Sequence, residues 1–335
     1  MNIKKWTDET IRSEVKKALP VLSFPCVQLT GVSVRELVSD SEAQARGMKA
    51  VADRVDSAAA VSLMDLSVEA EAFGAKLHMS ENEVPTVTGA IVTDEDEAAS
   101  LEIPEIGAGR TGVYVDAIRK ASKLITDRPV FAGTIGPFSL AGRLMDVTEI
   151  MVECYDEPEL VHAVLEKASI FLIKYAEALR DAGAQGIVMA EPLAGLLSPA
   201  LASEFSNAYV KKIIDSVRSD EFAVIYHNCG SSVPRMAKEI YSLGASGYHF
   251  GDAIRMADML RDAPDDVLIM GNVSPAMQFL GGTPESIRQN TLEIMNECCV
   301  KPNFVISSGC DIPPMTPWEN IDAFFAAVKE FYTEI

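Results

Sequence analysis

Residues 222–230 read FAVIYHNCG: five apolar positions in succession, then His227, Asn228 and Cys229, then a glycine. A strand that is apolar at successive positions, not alternating ones, is covered on both faces, as in a parallel sheet flanked by helices. The same shape recurs at PVFAGTIGP (129–137), GIVMAEP (186–192), ASGYHFGD (245–252), VLIMGNVSP (267–275) and NFVISSGCD (303–311). Most of these runs are followed by a segment with the spacing of a helix, the pattern of repeated strand–helix units. Two earlier runs, VLSFPCVQLTG (21–31) and AAAVSLM (58–64), bring the count to eight. Eight units in one alternation predict an α/β fold, a closed (β/α)8 TIM barrel formed by a single domain over residues 1–335.

Outward from those runs, residues 7–18 are expected to form a helix with Thr7 as its N-cap, and Ser39 or Ser41 is expected to cap a second. The stretch near residues 78–112 has another texture. Its short alternating piece TVTGAIVT and acidic run DEDEAASLEIPE predict a small inserted hairpin over one face of the barrel.

The formal net charge is -20, which repels nucleic acid and anionic membrane, so neither is expected as a partner. No apolar run approaches the roughly 20 residues that a membrane span needs, and the opening MNIKKWTDETIRSEV lacks the pattern of a secretory leader. The expected location is therefore cytoplasmic, where the six cysteines are read as free thiols or metal ligands. Neither a GxGxxG after a strand nor a GxxxxGK[ST] occurs, which removes the common nucleotide motifs.

Polar or glycine residues mark the ends of the predicted strands: Asp65, Gly136, Glu191, His227, Cys229, Asp252, Asn272 and Cys310. A barrel gathers such residues on one rim. His227 and Cys229, two apart on an extended segment, share a face. With Cys310 they offer one imidazole and two thiolates, a set suited to Zn²⁺ with its fourth tetrahedral position left for substrate. That position could hold a thiol, ionised by the metal into a nucleophile, or a water acting as hydroxide in a hydrolase. Glu191, Asp252 and Asp65 are candidates for catalytic work, Asp252 also for a displaceable fourth ligand or a helix cap. Arg143, Asn272 and Glu69 are candidates for holding a cofactor or an anionic group. Tyr226, His249 and Phe250 are read as packing residues.

HNCG at 227–230, then GDA, MGNVSP, GGTPESI and SSGCDIPPMTPWENI, together with DLSVEAEAFGAKL (65–77) and IGPFSLAG (135–142), resemble the uroporphyrinogen decarboxylase superfamily. Within it they are most similar to the methylcobamide:coenzyme M methyltransferases. The resemblance implies zinc on His227, Cys229 and Cys310, and transfer of a methyl group from a methylcobamide, carried by a partner corrinoid protein, to a small thiol such as coenzyme M. It implies less for the decarboxylase branch, whose arginine-rich signature after the first strand is replaced here by QLTGVSV. A decarboxylase or zinc hydrolase on the same barrel, or a non-catalytic corrinoid-binding partner, are the other readings. One departure is Glu191-Pro192-Leu193-Ala194-Gly195, where the family often places an aspartate.

Overall fold

The apolar runs do form strands covered on both sides. In a computed structural model describing residues 1–333, the strands are β1 (Ala60–Val61), β2 (Lys76–His78), β3 (Thr86–Thr88), β4 (Val130–Ile135), β5 (Gly186–Ala190), β6 (Ala223–Asn228), β7 (Gly247–Phe250), β8 (Leu268–Val273) and β9 (Phe304–Ser308). Seven of them make one parallel sheet in the order β1-β4-β5-β6-β7-β8-β9, while β2 and β3 pair antiparallel as a separate hairpin.

The sheet is not the closed eight-stranded (β/α)8 barrel expected from the sequence. It is a curled, open half-barrel whose edges are β1 and β9. The run at 21–31 supplies no strand; after Pro25 it turns into the short helix Cys26–Thr30. Residues 18–22 cross the gap with isolated hydrogen bonds only: Leu19 N–H donates to Ile306 O (3.0 Å), and Ala58 N–H donates to Ala18 O (2.8 Å). Val21 N–H turns to a side chain instead, donating to Ser308 Oγ at 3.0 Å. Pro20, in the middle of the segment, has no N–H to give, so a regular ladder cannot form there. This one short segment thus hydrogen-bonds to β9 at one edge and to the residues leading into β1 at the other.

Side-chain parity sorts the strands into two cores. Val188, Ala190, Ala223, Ile225, Leu268, Met270 and Val305 face inward, joined by Leu19 and Val21 of the seam and by Ile3 of the first helix. The residues between them, among them Ile187, Met189, Val224, Tyr226, Tyr248, Phe250, Ile269 and Ile306, pack outward under the helices. The first helix is Ile3–Arg12 and is capped by Asn2, whose side chain accepts from Lys5 N, so Thr7 is an interior residue and not its cap. It closes the bottom of the half-barrel, where Trp6 meets Phe131 edge-on at 5.8 Å between ring centroids. The next long helix, Ser41–Arg54, is capped by Asp40, not by either serine beside it.

Between β1 and β4 the chain forms the hairpin β2–β3 and the short helix Glu95–Ser100. These lie over the outer helices: Ile91 and Val92 donate backbone N–H groups to Leu144 O, and Lys167 Nζ donates to the carbonyls of Ala98 and Ala99.

Candidate metal centre

Parity carries His227 inward. It follows Ala223 and Ile225 on the inner face of β6 and is paired in register with His249 of β7, itself on the inner face. Asn272 and Ser307 are likewise register partners on β8 and β9. The upper layer of the half-barrel is therefore polar where the layers beneath it are aliphatic.

Cys229 lies just past β6 and Cys310 just past β9, and both reach toward His227. The ligand atoms of His227, Cys229 and Cys310 all fall within 4.8 Å of one another. His227 Nε2 lies 3.5 Å from Cys310 Sγ. Tetrahedral zinc with bonds of about 2.0–2.3 Å separates neighbouring nitrogen and sulfur ligands by roughly 3.5 Å, so the pair stands at ligand spacing. Glycines permit this approach. A Cβ on Gly251 would run into Cys229, and one on Gly309 would lie 2.8 Å from the backbone nitrogen and Oδ1 of Asp252.

Of the two site cysteines, Cys229 differs electrostatically from the rest. Burial pushes the thiols of Cys26, Cys154 and Cys298 up to about 12. Cys229 is instead drawn well below the ordinary thiol range, chiefly by the hydrogen bond from Cys310. Cys310 is raised correspondingly, because it keeps the proton that the pair shares. A cation bound there would favour the thiolate form of both.

The other predicted site residues are placed as follows. Asp65 is buried and saturated: it accepts from Arg110 Nη1 (2.6 Å), Tyr114 Oη (2.8 Å), and the backbone and hydroxyl of Ser67 (3.1 and 2.5 Å). Arg110 also binds Glu71 at 2.7 Å, so this network ties the loop after β1 to the helix Thr111–Leu124. Glu69 accepts from Ile135 N at 3.0 Å through Oε1, while its buried Oε2 has no partner. Desolvation raises its carboxyl to about 7.

Glu191 is wholly buried and turned toward the outer helices. It accepts from the backbone N–H groups of Phe138 (3.0 Å) and Ser139 (2.7 Å) at the start of helix Pro137–Met145, whose own N-cap, Gly136, has no side chain to offer. Burial raises Glu191 to about 6 against the pull of those donors. A Cβ at Gly136 would meet the Glu191 carboxylate at 2.7 Å, so glycine and glutamate occupy one space between them.

Arg143 is half-buried, with its Nη1 3.5 Å from Ser139 O, and Glu69, Glu191 and Asp65 act on its charge. Asn272 donates through Nδ2 to the carbonyls of Gly251 and Ile254, both at 2.9 Å, and so fixes the loop after β7. Asp252, on that loop, is exposed beside Gly309.

His249, read from the sequence as packing, belongs to the centre. Its Nδ1 lies 2.7 Å from His227 Nδ1, and its Nε2 lies 2.7 Å from Ser307 Oγ. Its imidazole is held well below the usual histidine range by burial and then by His227. The signal that could have found it is positional: on adjacent parallel strands, each histidine follows a tyrosine and stands three or two residues before a glycine, at YHNCG and YHFG.

Comparison with known proteins places this geometry. The family model described as uroporphyrinogen decarboxylase (URO-D) matches residues 16–331. A solved structure of a methyltransferase from Methanosarcina mazei superposes with a TM-score of 0.86 at 26% identity, covering 99% of each chain. The methylcobamide:CoM methyltransferase MtaA of Methanosarcina barkeri is 29% identical over 80% of this chain and 78% of its own length. A uroporphyrinogen decarboxylase of Pseudoalteromonas translucida is 28% identical over 82% and 78%.

Proposed function

Because this chain belongs to the uroporphyrinogen decarboxylase family, in which it resembles the methylcobamide:CoM methyltransferases, we propose that it moves a methyl group from a corrinoid to a thiol using zinc held by His227, Cys229 and Cys310. The observation that carries this reading is the convergence of those three donors within 4.8 Å. Identity does not separate the branches, since a decarboxylase relative stands at nearly the same level. The side chains discriminate better: two thiolates and an imidazole suit a soft, thiol-binding cation.

Zinc bound there would hold the acceptor sulfur as its thiolate, ready to take the methyl group. The chain's own residues do the positioning. β6 and the loop after β9 present the three donors from a rigid sheet, and Asn272 fixes the loop that carries Asp252. Around the same mouth, the loops after β5, β8 and β9 expose Leu196, Met277 and Met315, an apolar rim suited to a large corrinoid and the protein that carries it. Asp65, Glu69 and Glu191 are read as residues that shape the mouth from behind, because their hydrogen bonds are spent on backbone N–H groups, Arg110 and neighbouring hydroxyls. Arg143 is the cation available to an anionic acceptor such as coenzyme M.

Metal analysis and methylcobalamin demethylation by coenzyme M test the proposal together. Wild-type protein should carry about one zinc per chain and consume methylcobalamin only with thiol present. C310A should lose most of both, since His227 and Cys229 alone cannot complete the shell. Full zinc retention in C310A, or a zinc-loaded enzyme inert toward every thiol offered, would refute it.

A further inference from the structure

A line of hydrogen bonds runs from the seam of the open sheet to the candidate metal centre. It starts at a carbonyl oxygen, which can only accept. Leu19 O lies 2.7 Å from Ser307 Oγ, so the single proton of that hydroxyl is committed to it. Ser307 Oγ must then accept across its 2.7 Å contact with His249, which places a proton on His249 Nε2. His249 is 1% exposed and has no carboxylate partner, so the ring is neutral and its Nδ1 is a bare acceptor. His227 Nδ1, 2.7 Å away, is therefore the donor. The remaining nitrogen, His227 Nε2, is left with a free lone pair and faces Cys310. The opposite assignment would turn the serine proton toward His249 and set two unprotonated oxygens 2.7 Å apart at Leu19, which is repulsive.

We propose that His249 and Ser307 are positioning residues which, anchored on the Leu19 carbonyl, hold His227 in the one tautomer that can ligate a metal. This rests on the reading of His227, Cys229 and Cys310 as a metal site. It also gives the seam a role: residues 18–22, which fail to close the sheet, orient the imidazole that the site depends on. Ser308 is engaged by the same segment through Val21 N–H, so consecutive serines at the end of β9 are both tied to it.

The test is nitrogen-15 NMR of histidine-labelled, metal-free wild-type protein, followed by zinc competition against a chromophoric chelator. The expected spectrum shows His227 protonated on Nδ1 and bare on Nε2, and His249 the reverse. His227 protonated on Nε2 would overturn the proposal without any variant being made. In folded variants, S307A and H249F should bind zinc about 10- to 100-fold more weakly, the usual cost of losing a ligand's orienting partner. S307T, which keeps the hydroxyl, should restore the wild-type affinity and tautomer. Unchanged zinc affinity in both S307A and H249F, or S307T as weak as S307A, would also overturn it. A wild-type protein that binds no zinc would instead sink the metal reading, while the tautomer measured in the metal-free protein still decides the relay.

Discussion

At the scale of single residues, Asp252 is the carboxylate to test first. It is exposed beside Gly309, one residue from Cys310, whereas Asp65, Glu69 and Glu191 are buried with partners of their own. A carboxylate so placed would compete with an incoming thiol for the fourth position on a metal. D252A should therefore bind coenzyme M more tightly, roughly three- to tenfold, the equivalent of about 1 kcal/mol. Titration calorimetry on zinc-loaded protein measures this, and equal or weaker binding would show that Asp252 does not compete. The residues that meet in space, His227, Cys229 and Cys310, were readable because metal donors at strand ends are scarce and the strand ends were recognisable. Glu191 was readable only as a strand-end acid. Its direction depends on the helix start at Phe138 and Ser139, a tertiary contact across more than fifty residues that no local pattern announces. His249 was hidden for the opposite reason: a histidine inside an apolar strand has the pattern of a core residue until its register partner is known.

At the scale of elements, the helix beginning at Pro137 and the loop after β1 are held by buried acids, and their titration should be visible in stability. Glu69 rises to about 7 from an ordinary 4.5, chiefly through burial, so the folded protein holds its proton more tightly than the unfolded chain. Stability from this group is complete below about pH 4.5 and is lost as the pH rises to 7, a difference of about 3 kcal/mol. Glu191 acts with the same sign over the narrower window up to about 6. E69Q keeps the bond to Ile135 N without the charge. It should be more stable than wild type at pH 8, by about 1–3 kcal/mol after relaxation, with the gap closing near pH 4.5. Urea unfolding at the two pH values gives the comparison, and a gap independent of pH would contradict it. The six later strands were legible because each is a doubly buried apolar run with a polar or glycine exit. The eighth unit failed because an apolar run is necessary for a strand but not sufficient: Pro20 and Pro25 remove the donors a ladder needs, and the run folds into the seam segment and a short helix instead.

For the whole molecule, the open sheet raises the question of whether a metal centre at its mouth is needed to hold it together. The seam crosses between β9 and β1 on a few isolated hydrogen bonds, but two large cores lie on either side of the strands, and the N-terminal helix closes the bottom. Among the described residues no helix is long and apolar enough to cross a membrane, and the burial that holds this fold is that of a packed interior. Small zinc domains unfold without metal because they lack such an interior; this chain does not. Stripping zinc should therefore leave the far-ultraviolet circular dichroism unchanged and lower the melting temperature only by the binding contribution. That contribution is about 4 kcal/mol when free zinc exceeds its Kd a thousandfold. For a chain of this size it corresponds to a shift on the order of 10 °C. C310A should melt where the stripped wild type melts and should gain nothing from added zinc. Loss of secondary structure on chelation would mean that the metal closes the half-barrel and does not merely sit at its mouth. A C310A protein that zinc still stabilises would mean that the ion binds elsewhere.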